Sequence, residues 1–90
     1  MEENKEVYLI TTDGCESCKI MERIIRKVIK DVPNIKIKVV DKDKVDAWIT
    51  ANVIFRDFPT VVIVRNNMIK YHFSGTRTRD EFVKLLNICY

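Results

Sequence analysis

The sequence has few of the residues that mark fibrous, disordered or disulfide-rich proteins. Its 90 residues include two glycines, two prolines, three cysteines, one histidine and one tryptophan. So little glycine and proline excludes collagen-like, mucin-like and low-complexity chains, and a hydrophobic fraction of 47% predicts a globular protein. Small disulfide scaffolds carry more cysteines, usually an even number, so three cysteines do not indicate such a scaffold. Ninety residues are enough for one compact domain, and we therefore expect a single domain over residues 1–90.

Long apolar runs and clusters of like charge are also missing. No run approaches the roughly 18–20 apolar residues that a membrane span requires. The charged N-terminus, residues 1–6, is followed by no apolar segment with a small-residue cleavage site. We therefore expect no secretory signal, no membrane association and a cytoplasmic location. The net charge is only +3 and basic residues are interleaved with acidic ones, which argues against nucleic-acid binding.

Hydrophobic periodicity predicts seven elements in the order β-α-β-α-β-β-α. The predicted strands are residues 6–12, 35–40, 61–64 and 68–74. The predicted helices are residues 17–32, a short segment capped by Asp41 or Asp43 that carries Val45, Trp48 and Ile49, and a last segment that begins at Thr78. Pro33 and Asn34 are expected to end the first helix.

The alternation of helices with the first three strands predicts parallel pairing among those strands. Asn66 and Asn67 form a turn that adds the last strand as an antiparallel hairpin, because asparagine adopts the left-handed conformation of tight turns. The predicted fold is α/β, with a mixed four-stranded sheet and helices on both faces.

Cys15 and Cys18 lie between the first strand and the first helix. Their spacing places both sulfurs at the helix N-terminus, where unpaired N–H groups and a partial positive charge favour a thiolate. Cysteines in such positions have a pKa below the usual value of about 8.5, and the thiolate is the nucleophile. We predict that Cys15, nearer the helix start, attacks, and that Cys18 resolves the mixed disulfide.

A Cys-x-x-Cys pair is also half of a zinc site, so a metal remains an alternative interpretation. The remaining candidate ligands are His72, on a strand, and Cys89, on the apolar stripe of the last helix. His72 is expected to be a surface residue and Cys89 a buried, inert thiol. We therefore predict no metal and no cofactor.

The chain resembles the thioredoxin superfamily over nearly all of its length. The resemblance rests on Cys15-Glu16-Ser17-Cys18 after a strand, on Phe58-Pro59-Thr60 before the central strand, and on Gly75 after the hairpin. It implies a minimal thioredoxin-like fold, close in length to glutaredoxins. It also implies a cis peptide bond at Pro59, facing the cysteines, and pairing of the Phe58 backbone with an extended substrate. Phe58, Pro59 and Gly14, which stands where thioredoxins have a tryptophan, are the predicted substrate-binding residues.

The sequence departs from that family at several positions. Glu16-Ser17 replaces Gly-Pro, and Leu9 stands where thioredoxins carry a buried acid that assists proton transfer. The glutathione-binding stretch of glutaredoxins is incomplete after Gly75, where Arg77 and Arg79 follow. Glutathione use is therefore not indicated.

These residues predict a thiol–disulfide oxidoreductase that reduces protein or small-molecule disulfides. The expected partners are disulfide-containing proteins and an upstream reductase or glutathione, and the expected state is a monomer. The missing buried acid and the unusual dipeptide leave one alternative from another class, a non-catalytic binding or adapter module with the same fold.

Overall fold

The computed structural model describes residues 3–32 and 34–90. The strands are β1 (Lys5–Thr11), β2 (Ile35–Asp41), β3 (Thr60–Arg65) and β4 (Met68–Ser74). The helices are α1 (Glu16–Lys30), α2 (Ala47–Thr50) and α3 (Arg79–Cys89), and a 3-10 turn covers Lys42–Lys44. The element order predicted from periodicity is confirmed. Among the described residues, no helix is long and apolar enough to cross a membrane.

The four strands form one mixed sheet in the order β2-β1-β3-β4. β1 and β2 are parallel, whereas β3 is antiparallel to both β1 and β4. The prediction that the first three strands are all parallel is therefore wrong.

The lengths of the two connecting helices explain the difference. Helix α1 has 15 residues. At 1.5 Å per residue it is about 22 Å long, enough to carry the chain back along the sheet. Helix α2 has four residues. At about 6 Å it does not span the sheet, so β3 starts at the end where β2 finishes.

The second helix is shorter and begins later than predicted. The Asp41 side chain accepts the backbone N–H of Asp43 at 3.0 Å, and this hydrogen bond caps the 3-10 turn. Helix α2 starts only after Asp46, whose side chain makes no capping hydrogen bond. Val45 therefore lies outside the helix, although it still packs against the core.

The hydrophobic core lies on both faces of the sheet. Under α1 and α3, apolar side chains of β1 and β3 pack against the helices, with Phe82 fully buried. On the other face, Ile49 of α2 packs against a smaller cluster that contains Tyr8, and the Trp48 ring meets the Tyr8 ring edge-on at 6.0 Å. The predicted placement of helices on both faces and of Trp48 in core packing is confirmed.

Local turn signals also have the predicted effects. Asn66 and Asn67 both have positive φ (53° and 63°) in the turn between β3 and β4. Thr78 and Glu81 form a capping box at the start of α3, with the Glu81 N–H donating to the Thr78 hydroxyl at 3.2 Å. Asn34, after the first helix, is also left-handed (φ 72°). The predicted role of Pro33 falls outside the described residues.

Candidate active site

Cys15 lies at the junction between strand β1 and helix α1. It is the N-cap residue of α1, with an extended backbone (φ −94°, ψ 98°), and its sulfur accepts the Cys18 N–H at 3.1 Å. The sulfur thus takes the place of the serine or aspartate oxygen that usually caps a helix. The unpaired N–H groups and partial positive charge of this helix end are therefore directed at Cys15.

Cys15 and Cys18 are joined by a disulfide bond, with their Cα atoms 5.3 Å apart. That separation is within the usual range for disulfides. Cys15 is half-buried, whereas Cys18 is 4% exposed. A molecule approaching from solvent therefore meets Cys15 first. The expected proximity of the two sulfurs is confirmed.

The peptide bond between Phe58 and Pro59 is cis, as the resemblance implied. Pro59 is buried, and its carbonyl accepts the N–H of Gly75 at 2.8 Å. Gly75 has a positive φ of 84°, a conformation that glycine adopts without steric cost. This hydrogen bond ties the chain that leaves β4 to the segment that enters β3.

Ser17 connects the Phe58 segment to the cysteines. Its hydroxyl donates to the Phe58 carbonyl at 3.4 Å and lies 3.4 Å from the Cys15 sulfur. The structure thus brings together the predicted nucleophile and the predicted substrate-pairing backbone. No role for Ser17 is predicted from the sequence. Its hydroxyl between two cysteines is visible there, but the Phe58 carbonyl that accepts its hydrogen bond is 41 positions away.

Gly14 and Leu9 mark the other predicted features near the cysteines. Gly14 has a φ of 68°, is exposed, and has open space where a side chain would project, directly before Cys15. Its place beside Cys15 is compatible with substrate contact, which stays a prediction. Leu9 is fully buried in β1 and offers no proton-transfer group.

The charged side chains that the sequence places next to the cysteines or after the hairpin, Glu16, Arg77 and Arg79, are exposed or already engaged in contacts. The Glu16 carboxylate lies 3.8 Å from the Lys19 ammonium, and both side chains are largely exposed. The Arg77 guanidinium stacks 4.6 Å from the centre of the Phe73 ring and donates to two main-chain carbonyls. Arg77 is therefore fixed by contacts within the protein. Arg79, exposed, lies 3.8 Å from Asp31.

The two further candidate zinc ligands lie in different environments. His72 is exposed on β4, as predicted for a surface strand residue. Cys89 is buried in α3, and this burial raises the pKa of its thiol. Within the part of the chain that the structure describes, no group of three or more histidine, cysteine, aspartate or glutamate side chains is arranged to hold a metal ion.

Several solved structures share this fold. Desulfothioredoxin from Desulfovibrio vulgaris Hildenborough in its reduced form superposes with a TM-score of 0.82 at 24% identity, over 94% of this chain and 81% of that chain. Thioredoxin-2, described as a component of malaria parasite protein secretion machinery, gives 0.79 at 17% identity, over 98% and 85%. Thioredoxin 1 from Thermosipho africanus gives 0.73 at 22% identity, over 92% and 91%. No curated protein matches the sequence.

The family comparison agrees with the geometry of the site. The thioredoxin family model matches residues 2–88, nearly the whole chain. A Cys-x-x-Cys pair that forms a disulfide at a helix N-terminus supports thiol–disulfide oxidoreductase chemistry in general. The chain belongs to the thioredoxin family.

Proposed function

We propose that this protein reduces disulfide bonds in other proteins through a dithiol–disulfide cycle of Cys15 and Cys18. The observation that carries the proposal is the position of Cys15. Its sulfur caps helix α1, is the more exposed of the pair, and lies within disulfide-bonding distance of Cys18. These features supply an ionised attacking sulfur and a second sulfur that completes the exchange.

In the first step, the Cys15 thiolate attacks one sulfur of the substrate disulfide. The substrate S–S bond breaks, its other sulfur leaves as a thiolate, and a mixed disulfide joins Cys15 to the substrate. The N-terminus of α1 stabilises the Cys15 thiolate through the Cys18 N–H, which already points at the sulfur.

In the second step, Cys18 gives up its proton and attacks the Cys15 sulfur. The second substrate sulfur leaves as a thiolate, and the Cys15–Cys18 disulfide forms. Two electrons have then passed from the protein to the substrate. Because Leu9 cannot accept a proton, water, Glu16 or a substrate group takes the proton from Cys18.

Phe58, Pro59 and Gly14 form the proposed substrate contact. An extended substrate would pair with the Phe58 backbone in a strand-like manner, beside the Cys15 sulfur. The Ser17 hydroxyl lies 3.4 Å from the Phe58 carbonyl oxygen and 3.4 Å from the Cys15 sulfur. One side chain thus bridges this backbone and the reacting sulfur. Open space above Gly14 leaves room for the substrate chain next to Cys15.

The oxidised protein must be reduced again by a dithiol reductase or by two molecules of glutathione. We propose the reducing direction, a cytoplasmic location and a monomeric state as parts of the same account. Supplying the oxidised protein with NADPH and either a thioredoxin reductase or glutathione plus glutathione reductase identifies the electron donor. The system that regenerates the free thiols at the higher rate is the better candidate.

Turnover of insulin disulfides tests the proposal. The wild-type protein should reduce insulin faster than the added dithiol alone, and Cys15→Ser should abolish the gain. Cys18→Ser should accumulate a mixed disulfide with the substrate, because the resolving thiol is missing. Cys89→Ala is the matched control, since it removes a buried thiol outside the site and should keep turnover. Wild-type turnover no faster than the dithiol background would instead favour the adapter interpretation.

A further inference from the structure

The Ser17 hydroxyl has two acceptors and only one proton. It lies 3.4 Å from the Phe58 carbonyl oxygen and 3.4 Å from the Cys15 sulfur. A serine hydroxyl carries a single O–H donor, so it serves one of these acceptors at a time. Ser17 is half-buried, which limits the water that competes for either contact.

The charge on the Cys15 sulfur determines which of the two acceptors takes the hydrogen bond from the Ser17 hydroxyl. In the disulfide, the Cys15 sulfur is a weak, neutral acceptor and the Phe58 carbonyl is the stronger one. In the reduced protein, the Cys15 thiolate carries a full negative charge, and hydrogen bonds to charged acceptors are roughly twice as strong as neutral ones. Because the Ser17 oxygen lies 3.4 Å from both acceptors, rotation of its O–H group is enough to redirect the hydrogen bond from the Phe58 carbonyl to the Cys15 sulfur.

We propose that Ser17 is a hydrogen-bond switch, donating to the Phe58 carbonyl in the oxidised protein and to the Cys15 thiolate in the reduced protein. The inference rests on the proposed function, because it assumes that Cys15 and Cys18 cycle between the two states. Ser17 contacts the Cys15 sulfur, which is the reacting atom. It also determines whether the Phe58 carbonyl, a group proposed to bind substrate, is already hydrogen-bonded within the protein.

The switch links the redox state of the cysteines to the substrate site. When the protein is reduced, the Phe58 carbonyl loses its internal donor and is free to accept an N–H from an incoming substrate. When Cys15 and Cys18 join, the hydroxyl returns to the carbonyl and competes with the bound product. The reduced protein therefore holds disulfide substrates better than the oxidised protein holds their reduced products.

The pKa of Cys15 provides the first test. Ser17→Ala should raise this pKa by about one unit, because the thiolate loses a charge-assisted hydrogen bond. Ser17→Thr keeps the hydroxyl and should restore the wild-type value. Ser74→Ala is the matched control, since the Ser74 hydroxyl lies 3.4 Å from the Thr60 hydroxyl and, among the described residues, makes no hydrogen bond to either cysteine sulfur. Alanine is a good helix former, so Ser17→Ala should fold. Thiolate absorbance against pH gives each value, and equal pKa values in wild type and Ser17→Ala would overturn the switch.

The reduction potential separates the switch from a purely structural effect. A tenfold loss of thiolate stability in Ser17→Ala makes the potential more negative by about 30 mV at a pH where Cys15 is ionised. At a pH well below the pKa, both proteins hold a neutral thiol and the difference should disappear. A difference of the same size at every pH would contradict the proposal.

The carbonyl itself supplies a direct readout. The 13C chemical shift of the Phe58 carbonyl should change between oxidised and reduced wild type more than in Ser17→Ala, which has no hydroxyl to move. The same redox-dependent change in both proteins would overturn the inference. If the wild-type cysteines exchange no electrons at all, the proposed function fails. If they do and Ser17→Ala matches the wild type, only the switch fails.

Discussion

The carboxylate of Glu6 lies 2.6 Å from the ammonium nitrogen of Lys38, across the parallel strands β1 and β2. The Glu6 side chain is 6% exposed, and the Tyr8 hydroxyl donates to the same carboxylate at 3.4 Å. Glu6 stands nine positions before Cys15, near the start of β1, whereas Cys15 follows the other end of that strand. This buried carboxylate therefore stabilises the pairing of β1 with β2 and is not placed to assist the cysteines.

Replacing Glu6 with glutamine should lower stability and leave the redox chemistry unchanged. Because Lys38 is about half exposed, the loss of this pair should cost only about 1 kcal/mol of unfolding free energy. Urea unfolding measures the cost. The hydrogen bond with Glu6 raises the pKa of Lys38. The contribution of the pair is then fully present below the unfolded pKa of about 10.4 and is lost as the pH rises through the folded value. Insulin turnover that falls in Glu6→Gln at equal folded fraction would show that the acid takes part in the reaction.

The charge of Glu16 should oppose ionisation of Cys15. A carboxylate next to a thiolate disfavours the charged sulfur, so Glu16→Gln should lower the Cys15 pKa. Because the Glu16 side chain is 84% exposed, solvent screening should limit the change to a few tenths of a unit. Glu22→Gln is the control with the same change in net charge, farther along α1, and it should leave the pKa unchanged. A higher Cys15 pKa in Glu16→Gln would contradict this electrostatic account.

Phe82 should be among the largest single contributors to stability. It is fully buried where α3 packs against the sheet and α1. Truncation to alanine leaves a cavity and should cost about 3–5 kcal/mol. Since small domains have total stabilities of about 5–15 kcal/mol, the midpoint of urea unfolding should fall sharply. Exposed Ile88 on the same helix is the matched control, and Ile88→Ala should change stability by less than about 0.5 kcal/mol. Similar costs at both positions would show that α3 does not pack as described.

The capping box of α3 should make a small contribution that depends on pH. Thr78→Ala should cost about 1 kcal/mol of unfolding free energy at neutral pH. Hydrogen bonds with Thr78, the backbone N–H first, lower the pKa of Glu81. The stabilisation by the Glu81 carboxylate is therefore present above its unfolded pKa and is lost as the pH falls through the folded value. The stability difference between wild type and Glu81→Gln should shrink on acidification, and a difference that grows instead would contradict the assignment.

Local patterns in the sequence predicted most of the fold. The apolar stripe of α1, the two asparagines of the hairpin and the Thr78–Glu81 box all act over a few residues, so each can be recognised without a structure. The direction of β3 depends on how far the connection before it travels. The alternation of helices with strands predicts a parallel crossover before β3, whereas the observed α2 has only four residues and does not carry the chain back along the sheet.

In the candidate site, too, the features set by neighbouring residues could be predicted, and the contact between distant residues could not. Cys15 and Cys18 are close in sequence, and their position at a helix start follows from local pattern. The cis bond at Pro59 was implied by family resemblance and not by local chemistry. The contact of Ser17 with Phe58 joins residues 41 positions apart, so it becomes visible only once the segment before β3 is placed beside α1.

The reduction potential of the Cys15–Cys18 pair tests the central claim most directly. The protein would be equilibrated in dithiothreitol buffers of stepped potential, and its free thiols counted after alkylation. The account predicts a single two-electron transition near the thioredoxin range, about −270 mV, that is lost in Cys15→Ser and kept in Cys89→Ala. A potential above roughly −200 mV would contradict a thioredoxin-like reductant and point to a glutathione-coupled or oxidising role. Absence of any disulfide between the two cysteines would contradict the redox function itself.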